Sequence, residues 1–569
     1  MNKLPTQFQT LANVLSAIQA DDNLSTSRKK SIATYFRVYA RVQNKALEAI
    51  AADPKAIRKF CKSFLPASAG FSRAHWGNVI SSMTFAFFHV GLISLPGRSK
   101  APLCPAWQTL YGRANRKEFR AGLSRLIRFC STRGIKPSEV DDSTLNEFLR
   151  VLLEESLAKE PARLHRRAII MWNRAVSMIE GWPQKLLVVP DNKYRWTFDW
   201  DTFPENLRSQ VDTYFDDRAN PDFLVDKWAN RPLAEATIQG DRYKLLCFCS
   251  ALVKTGSPPE TLTDLNVLLK MENVLRGLRF LHDHYGKDKV DPREKTKTVY
   301  RIAQILHVIG RDFLKLDDDH QNELKKIGRK LTPPKAGMTD KNRKRLRQLD
   351  DPRNVRRLLD LPACLVRKAK RLDQGRRNDA LLVQLALAID ILTVAPLRLG
   401  NLARLTLDKH IQRSRPGRNG VVHLVIDAQE VKNNQALEFE LPPETVNLLR
   451  LYLEEYRPRL TTSDNLWLFP GRGNSFKVPA ALGKQISDTV AKEIGLEIHP
   501  HLFRHAMAKL FLDQNPGQYE VVRQVLGHSA MNTTVSFYAG GEGVSAARHF
   551  DRTILQLRDR SLTNLDGGL

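Results

Sequence analysis

The sequence predicts a multidomain protein in which mainly α-helical modules precede an α+β domain with helices around a small antiparallel sheet. Its 569 residues exceed one ordinary domain and suggest about three to five. Up to about residue 320, apolar residues recur at the three- and four-residue spacing of amphipathic helices, as in residues 28–51, 116–133 and 237–254. Strand-like alternation is scarce before about residue 420 and then occurs twice in close succession.

Three helical modules are predicted first, at residues 1–110, 111–225 and 226–330. Each shows a helix with basic residues, a turn, a second apolar helix and a helix that packs back. The modules are either related repeats or helical segments that resemble one another by chance, because their period is irregular. Residues 188–221 mix aromatic and acidic side chains, which favours an irregular crossover or linker at the end of the second module.

A basic linker is predicted at residues 331–350. Pro333 and Pro334 interrupt the helices, and eight Lys or Arg fall between residues 329 and 347. A solvated charged face is the ordinary reading of such a run. Its place before the last domain favours a strap along a phosphate backbone, which would set affinity and salt dependence but no sequence preference.

The last domain, residues 351–569, changes character. A strongly apolar helix at residues 381–394 is followed by two β-type runs, 421–426 and 437–441, with the polar sequence EVKNNQ between them. This pattern predicts a β-hairpin with a polar turn. Helices resume at residues 443–456 and continue to the end, so the domain is predicted to be α+β.

The charge points to a polyanionic partner. Lys and Arg number 89 against 61 Asp and Glu, a formal net charge of +28. Such an excess favours nucleic acid, although a generally basic surface without a specific partner would give the same number. Charge alone does not separate DNA from RNA.

Other classes of protein are disfavoured. The sequence contains no run of about 18 apolar residues, so no membrane span is predicted. The N-terminal sequence MNKLPTQFQTLANVL lacks the layout of a signal peptide, so we expect a cytoplasmic protein. The six cysteines lie in apolar surroundings, and Cys247 and Cys249 form a CxC without a second pair at zinc-ligand spacing. The sequence therefore predicts neither a metal nor another cofactor.

The residues that could carry chemistry lie in the last domain: Arg398, Lys432, His501, Arg504, His528 and Tyr538. Attack on a phosphodiester needs a nucleophile, positive charge at the non-bridging oxygens, an acid for the leaving oxygen, and orientation. No carboxylate set of the kind that holds Mg²⁺ stands out. His501 and Arg504 share one face of a largely apolar helix, where they need an anionic or hydrogen-bonding partner.

The order of these residues resembles the tyrosine recombinases, the phage-integrase family, over roughly residues 339–550. The shared pattern is an arginine after a helix, a lysine on a β-hairpin, the HxxR and LGH elements, and a tyrosine about ten residues later. His505 and the pair Thr533-Thr534 add to the match. The roles implied by the resemblance are clamps on the scissile phosphate (Arg398, Arg504), a hydrogen bond to a non-bridging oxygen (His528), assistance to proton transfer at the nucleophile (His501), the acid for the leaving 5′-oxygen (Lys432) and the nucleophile (Tyr538).

The resemblance implies a site-specific recombinase or integrase of a mobile element. Such an enzyme cleaves and rejoins double-stranded DNA through a 3′-phosphotyrosyl link, without metal or ATP. Residues 226–330 would be the helical, SAM-like core-binding domain. A homotetramer in the synapse, accessory recombinases or DNA-bending proteins, and a place at the bacterial nucleoid are implied as well.

Two departures from the family pattern leave alternatives open. Asn401 stands three residues after Arg398, where many relatives have an acidic residue, and Tyr538 follows His528 by ten residues where nine is common. Phe537 occupies the usual position of the tyrosine. A type IB-like topoisomerase, which shares the chemistry, and a catalytically silent DNA-binding protein are the alternative readings.

Overall fold

The computed structural model describes residues 8–94, 102–190, 196–221, 232–286, 297–333, 338–372, 375–414, 420–462, 464–538, 547, 550–551 and 553–556. Contacts between Cα atoms divide the chain into two compact units. One comprises residues 1–190 together with 337–569, and the other comprises residues 191–336.

The first described segment, residues 8–94, has its own hydrophobic core, to which Phe36, Val79 and Phe87 contribute fully buried side chains. The predicted helix at residues 28–51 is shorter than expected, because Asn44 takes a left-handed conformation with φ of 51° and closes the helix by hydrogen bonds to the preceding turn. The helices are α1 (Leu11–Ala20), α2 (Thr26–Gln43), α3 (Pro54–Ser63) and α4 (Arg73–His89).

Residues 102–190 form a second core around three buried tryptophans, Trp107, Trp172 and Trp182. Arg58 on α3 joins it to the first segment, since its guanidinium donates to the carbonyl oxygens of Leu152 and Ser156 at 3.1 Å. The helices are α5 (Pro105–Arg113), α6 (Lys117–Thr132), α7 (Asp142–Glu154) and α8 (Pro161–Met178).

The separate unit has a core that runs from residue 196 to residue 331. Residues 205–219 are a helix whose side chains Leu207 and Val211 are fully buried in this core. The expectation of an irregular linker at residues 188–221 is therefore wrong for that stretch, whose apolar spacing is helical. The helices are α9 (Glu205–Ala219), α10 (Glu235–Lys254), α11 (Leu265–Leu269), α12 (Met271–Gly286), α13 (Lys297–Val308, continued by a π-helical turn at Ile309–Phe313) and α14 (Asp318–Leu331).

Of the predicted basic linker, residues 334–337 lie outside the described residues. The part after them is ordered as a short helix and a 3₁₀ turn, whose Leu346 and Leu349 are buried in the core of the last domain. Arg343, Lys344 and Arg347 on the same stretch are exposed. Residues 340–350 thus expose basic side chains on one side and pack against the core of the last domain on the other.

The last domain surrounds a large core with helices. The apolar helix predicted at residues 381–394 ends where expected, at Val394, before the sequence Ala395-Pro396. The helices are α15 (Asp340–Leu346), α16 (Pro352–Leu359), α17 (Leu361–Leu372), α18 (Arg377–Val394), α19 (Leu399–Ala403), α20 (Pro443–Leu451, continued by a π-helical turn at Tyr452–Tyr456), α21 (Pro479–Glu493), α22 (Pro500–Gln514), α23 (Tyr519–Leu526) and α24 (Met531–Tyr538).

A three-stranded antiparallel sheet in the order β1-β2-β3 completes this domain. The strands are β1 (Ile411–Arg413), β2 (Val422–Ile426) and β3 (Leu437–Glu440). Alternate residues of β2 are buried, and Ile426 pairs with Leu437 beside the connecting turn. The predicted hairpin and the predicted fold class, mainly helical with a small antiparallel sheet, are confirmed. Across the described ranges, no helix is long and apolar enough to cross a bilayer.

Candidate active site

Arg504 is the buried centre of the candidate site. It lies on α22, which begins after His499 with Pro500 as its first residue, and it is 3 % exposed. Its guanidinium donates to the carbonyl oxygen of Pro396 and, at 2.5 Å, to that of Leu526. One side chain therefore connects α22 to the segment before Arg398 and to the end of α23. Burial and the nearby charge of Arg398 lower the pKa of Arg504 to about 10.

Arg398 is the N-cap residue of α19, with an extended backbone and no capping hydrogen bond from its side chain. Its Nη1 is buried and finds no hydrogen-bond acceptor in the described part of the chain. A guanidinium nitrogen withdrawn from water without an acceptor costs free energy, on the order of 1–3 kcal/mol. Burial accordingly lowers the pKa of Arg398. The arrangement suits an anion that would accept from this nitrogen.

His501 lies on the solvent edge of the same cluster, one helical turn before Arg504. Partial withdrawal from water and the charges of Arg504 and Arg398 lower the pKa of its imidazole. The structure thus brings together one histidine and two arginines from separate parts of the sequence, as the HxxR spacing predicts for His501 and Arg504.

Tyr538 ends α24 and is 4 % exposed. Its ring packs in a small core with Leu512, Val522 and Leu526. The Oη atom lies 2.8 Å from Nδ1 of His505. Burial raises the pKa of the Tyr538 phenol and lowers that of His505 to about 4. At neutral pH the imidazole is therefore neutral and the phenol keeps its proton, so one hydrogen bond joins the two groups.

The contact of His505 with Tyr538 was not predicted from the sequence, in which His501 is the residue expected to assist proton transfer at the nucleophile. His505 directly follows Arg504 on α22 and would ordinarily face another direction on a helix. Its ring stands 5.1 Å from that of His501, centroid to centroid. The two histidines are neighbours, but His505 is the one that contacts the phenol. The sequence signal for this role was the presence of a second histidine, His505, directly after Arg504.

His528 follows Gly527, which closes α23 in a left-handed conformation with φ of 58°. Nδ1 of His528 lies 2.9 Å from Oγ1 of the fully buried Thr534, a second contact that spacing alone did not reveal. Burial and the charges of Arg504, Arg398 and Arg523 lower the pKa of His528 to about 4. His528 is therefore close enough to Arg398 and Arg504 for their charges to affect its protonation.

Lys432 lies in the turn between β2 and β3 and is exposed. The next residue, Asn433, donates from Nδ2 to the carbonyl oxygen of Gly527 at 2.9 Å. The lysine-bearing turn is therefore joined to the loop that carries His528. Arg398, His501, Arg504, His528 and Tyr538 thus lie around α22, and the turn that carries Lys432 is attached beside them through Asn433. Within the described ranges, no group of three or more His, Cys, Asp or Glu is placed to hold a metal ion.

We expect the stability of the protein to fall as the pH drops from about 6.5 to about 4. His505 and His528 have ordinary pKa values of 6.5 but values of about 4 in the fold, so the unfolded chain binds more protons in this interval. Burial is the main cause of both shifts, and the charged groups that act on the two histidines, other histidines and arginines, also lower their pKa values. Thermal unfolding measured from pH 7.5 to 4.5 should show a smaller decline in His505→Gln than in the unaltered protein.

The control for this pH effect is Gln412→Ala, the loss of an exposed and uncharged side chain on β1. This variant should retain the full decline. Equal slopes for His505→Gln and the unaltered protein would show that the neutral state of His505 contributes nothing to the pH dependence.

Comparisons with known proteins place this region in context. Residues 367–541 match the family described as "Phage integrase family". Tyrosine recombinase XerC of Pseudomonas aeruginosa (strain LESB58) is 31 % identical over 101 residues, which cover 18 % of this chain and 32 % of the relative. XerC of Azotobacter vinelandii (strain DJ) is 28 % identical over 103 residues, which cover 18 % of this chain and 33 % of that relative. The chain thus spans about a third of the length of these curated relatives.

Two solved structures also show similarity. The crystal structure of XerA recombinase is 16 % identical, with 61 % of this chain and 98 % of that chain covered and a TM-score of 0.26. The Tn1549 transposon integrase in complex with circular intermediate DNA is 14 % identical, with the same coverage and a TM-score of 0.35. Because both TM-scores are below 0.5, the likeness does not establish a shared arrangement of domains.

Proposed function

We propose that the protein is a site-specific DNA recombinase that integrates or excises a mobile element, and the match of residues 367–541 to the phage integrase family supports this proposal. The observation that carries this proposal is the unsatisfied, buried Nη1 of Arg398 near Arg504, with the protonated Tyr538 hydrogen-bonded to His505, the residue after Arg504. Two guanidinium groups, one already fixed by backbone carbonyls, form a site for one phosphate.

In the proposed reaction, Oη of Tyr538 attacks the phosphorus of the scissile phosphodiester as the phenol proton passes to Nδ1 of His505. The P–O5′ bond breaks, and the 5′-oxygen takes a proton from the ammonium group of Lys432. The product is a 3′-phosphotyrosyl link and a free 5′-hydroxyl. Attack by the 5′-hydroxyl of another strand reverses the same steps, so rejoining needs no ATP.

Arg398 and Arg504 stabilise the charge on the non-bridging oxygens as the phosphorane forms. Each such donor contributes on the order of 10²–10³ in rate when it is fixed before the reaction, and Arg504 is fixed by Pro396 and Leu526. His528, held by Thr534, supplies a further hydrogen bond, and His501 contacts the phosphate from the solvent edge. These groups provide the positive charge that Mg²⁺ provides in other enzymes, so the proposed reaction does not require a metal.

Double-stranded DNA is the proposed substrate and partner, and the charge around α15 supports it. Burial lowers the pKa of His499, the residue that caps α22, and the nearby charges of Arg345 and Lys341 lower it further. Basic side chains of α15 therefore stand near the entrance to the candidate site, where a phosphate backbone would pass. Assembly of four copies on two DNA sites, as the family resemblance implies, belongs to the same proposal.

Nicked duplexes test the proposal. Duplexes tiled across the DNA that flanks the gene, together with a pool of random central sequence, would be incubated with the protein in EDTA and without ATP. The short strand beyond the cleavage point diffuses away, so a covalent protein–DNA adduct should accumulate and survive denaturation. Binding of these duplexes without any adduct would favour a catalytically silent DNA-binding protein. Relaxation of supercoiled plasmids regardless of sequence would favour a topoisomerase.

A further inference from the structure

The turn between β2 and β3, residues 427–436, is held on both sides of Lys432 by asparagine side chains. We name it the Lys432 turn. Asn401 on α19 donates from Nδ2 to the carbonyl oxygen of Glu430 at 3.2 Å, just before the lysine. Asn433 donates from Nδ2 to the carbonyl oxygen of Gly527 at 2.9 Å, just after it. The turn is thereby connected to the helix that follows Arg398 and to the loop that precedes His528.

The base of the Lys432 turn has a third attachment, through the side chain of Glu430. The backbone N–H of Thr406 donates to Nδ1 of the buried His410 at 2.9 Å, so the ring proton stands on Nε2. Nε2 donates to Oε2 of Glu430 at 3.0 Å, and Lys409 pairs with the same carboxylate at 3.2 Å. The residue two positions before Lys432 is therefore fixed by both its side chain and its backbone.

We propose that Asn401 and Asn433 are positioning residues that hold the Lys432 turn so that its ammonium group faces the leaving 5′-oxygen. The inference rests on the proposed function and assigns the two amides to one step of it. A lysine has four rotatable bonds on an exposed turn, and proton transfer requires hydrogen-bond distance in the transition state. Fixing the backbone on either side of Lys432 restricts its conformations before the reaction, so less conformational entropy is lost in reaching the transition state.

The proposal explains why an amide, and not the acidic residue of many relatives, stands at position 401. An amide nitrogen donates to the carbonyl oxygen of Glu430, whereas a carboxylate would place negative charge against that oxygen. Asn401→Asp would restore the common family residue and break this contact. It should therefore impair cleavage about as much as Asn401→Ala.

A sulfur atom in place of the bridging 5′-oxygen tests the assignment. A thiolate leaves without protonation, so cleavage of this substrate needs no acid. The duplex captured with the unaltered protein would be made in both forms, and single-turnover cleavage would be compared for Lys432→Ala, Asn401→Ala, Asn401→Asp and Asn433→Ala. On the oxygen substrate we expect losses on the order of 10²-fold or more for Lys432→Ala and about tenfold for each asparagine variant. On the sulfur substrate all should lie within about twofold of the unaltered protein.

The control variant is Asn447→Ala, an exposed asparagine on α20, which should match the unaltered protein on both substrates. Equal losses of the asparagine variants on oxygen and sulfur substrates would overturn the proposal, because the two amides would then support folding or DNA binding instead. Unimpaired cleavage of the oxygen substrate would overturn it as well. Failure of the unaltered protein to cleave either substrate would instead overturn the proposed function.

Discussion

Tyr538→Phe is expected to abolish covalent adduct formation while the protein remains folded. The substitution removes the atom that forms the bond to phosphorus, and loss of a nucleophile lowers cleavage by at least about 10⁴-fold. The phenylalanine ring can keep its contacts with Leu512, Val522 and Leu526. The lost hydrogen bond to His505 should reduce the free energy of unfolding by about 1–3 kcal/mol. Gel electrophoresis of denatured adducts measures the first effect and thermal unfolding the second.

Tyr519→Phe is the matched control, because Tyr519 packs against the same small core and is half-buried. It should form the adduct at the rate of the unaltered protein. Because the resemblance described above would place the nucleophile one residue earlier, at Phe537, the experiment also tests the spacing after His528. Persistence of the adduct in Tyr538→Phe would show that another residue attacks.

Arg398→Ala and Arg504→Ala should both reduce cleavage strongly but should differ in stability. Arg398 has a buried nitrogen without an acceptor, so its removal should leave the free energy of unfolding unchanged or raise it. Cleavage should fall on the order of 10²–10³-fold. Arg504 donates to two buried backbone carbonyl oxygens, so its removal leaves both without this donor and should destabilise the protein by about 1–3 kcal/mol for each.

Arg356→Ala on α16 serves as the control for loss of one surface charge, since Arg356 is highly exposed. It should affect neither cleavage nor stability measurably. Denaturant unfolding and single-turnover cleavage on the captured duplex give the two quantities. If Arg398→Ala were as destabilising as Arg504→Ala and cleaved normally, the proposal that Arg398 binds the scissile phosphate would be wrong.

The sequence allows prediction of the elements that depend on local periodicity. The helix that ends at Val394, the hairpin around Lys432 and the helix with His501 and Arg504 all follow from spacing within a few residues. The strand β1 was missed because its three residues, Ile411–Arg413, are too few to show an alternation.

Contacts between distant residues could not be predicted in the same way. The bond of His505 to Tyr538 joins positions 33 residues apart, and that of Asn433 to Gly527 joins positions 94 apart. Each depends on how α22, α23 and the sheet pack, which no local pattern encodes. Asn401 was visible as a departure from the family pattern, but its function as a donor to Glu430 required the fold.

Mass spectrometry of the captured adduct tests the central claim, that Tyr538 attacks DNA, most directly. After digestion with nuclease and trypsin, residues 510–523 and 524–548 form separate peptides, and each contains one tyrosine, Tyr519 or Tyr538. We expect a nucleotide joined through its 3′-phosphate to the 524–548 peptide, with fragment ions that locate it at Tyr538. A modification on the 510–523 peptide, or at another residue of the 524–548 peptide, would contradict it.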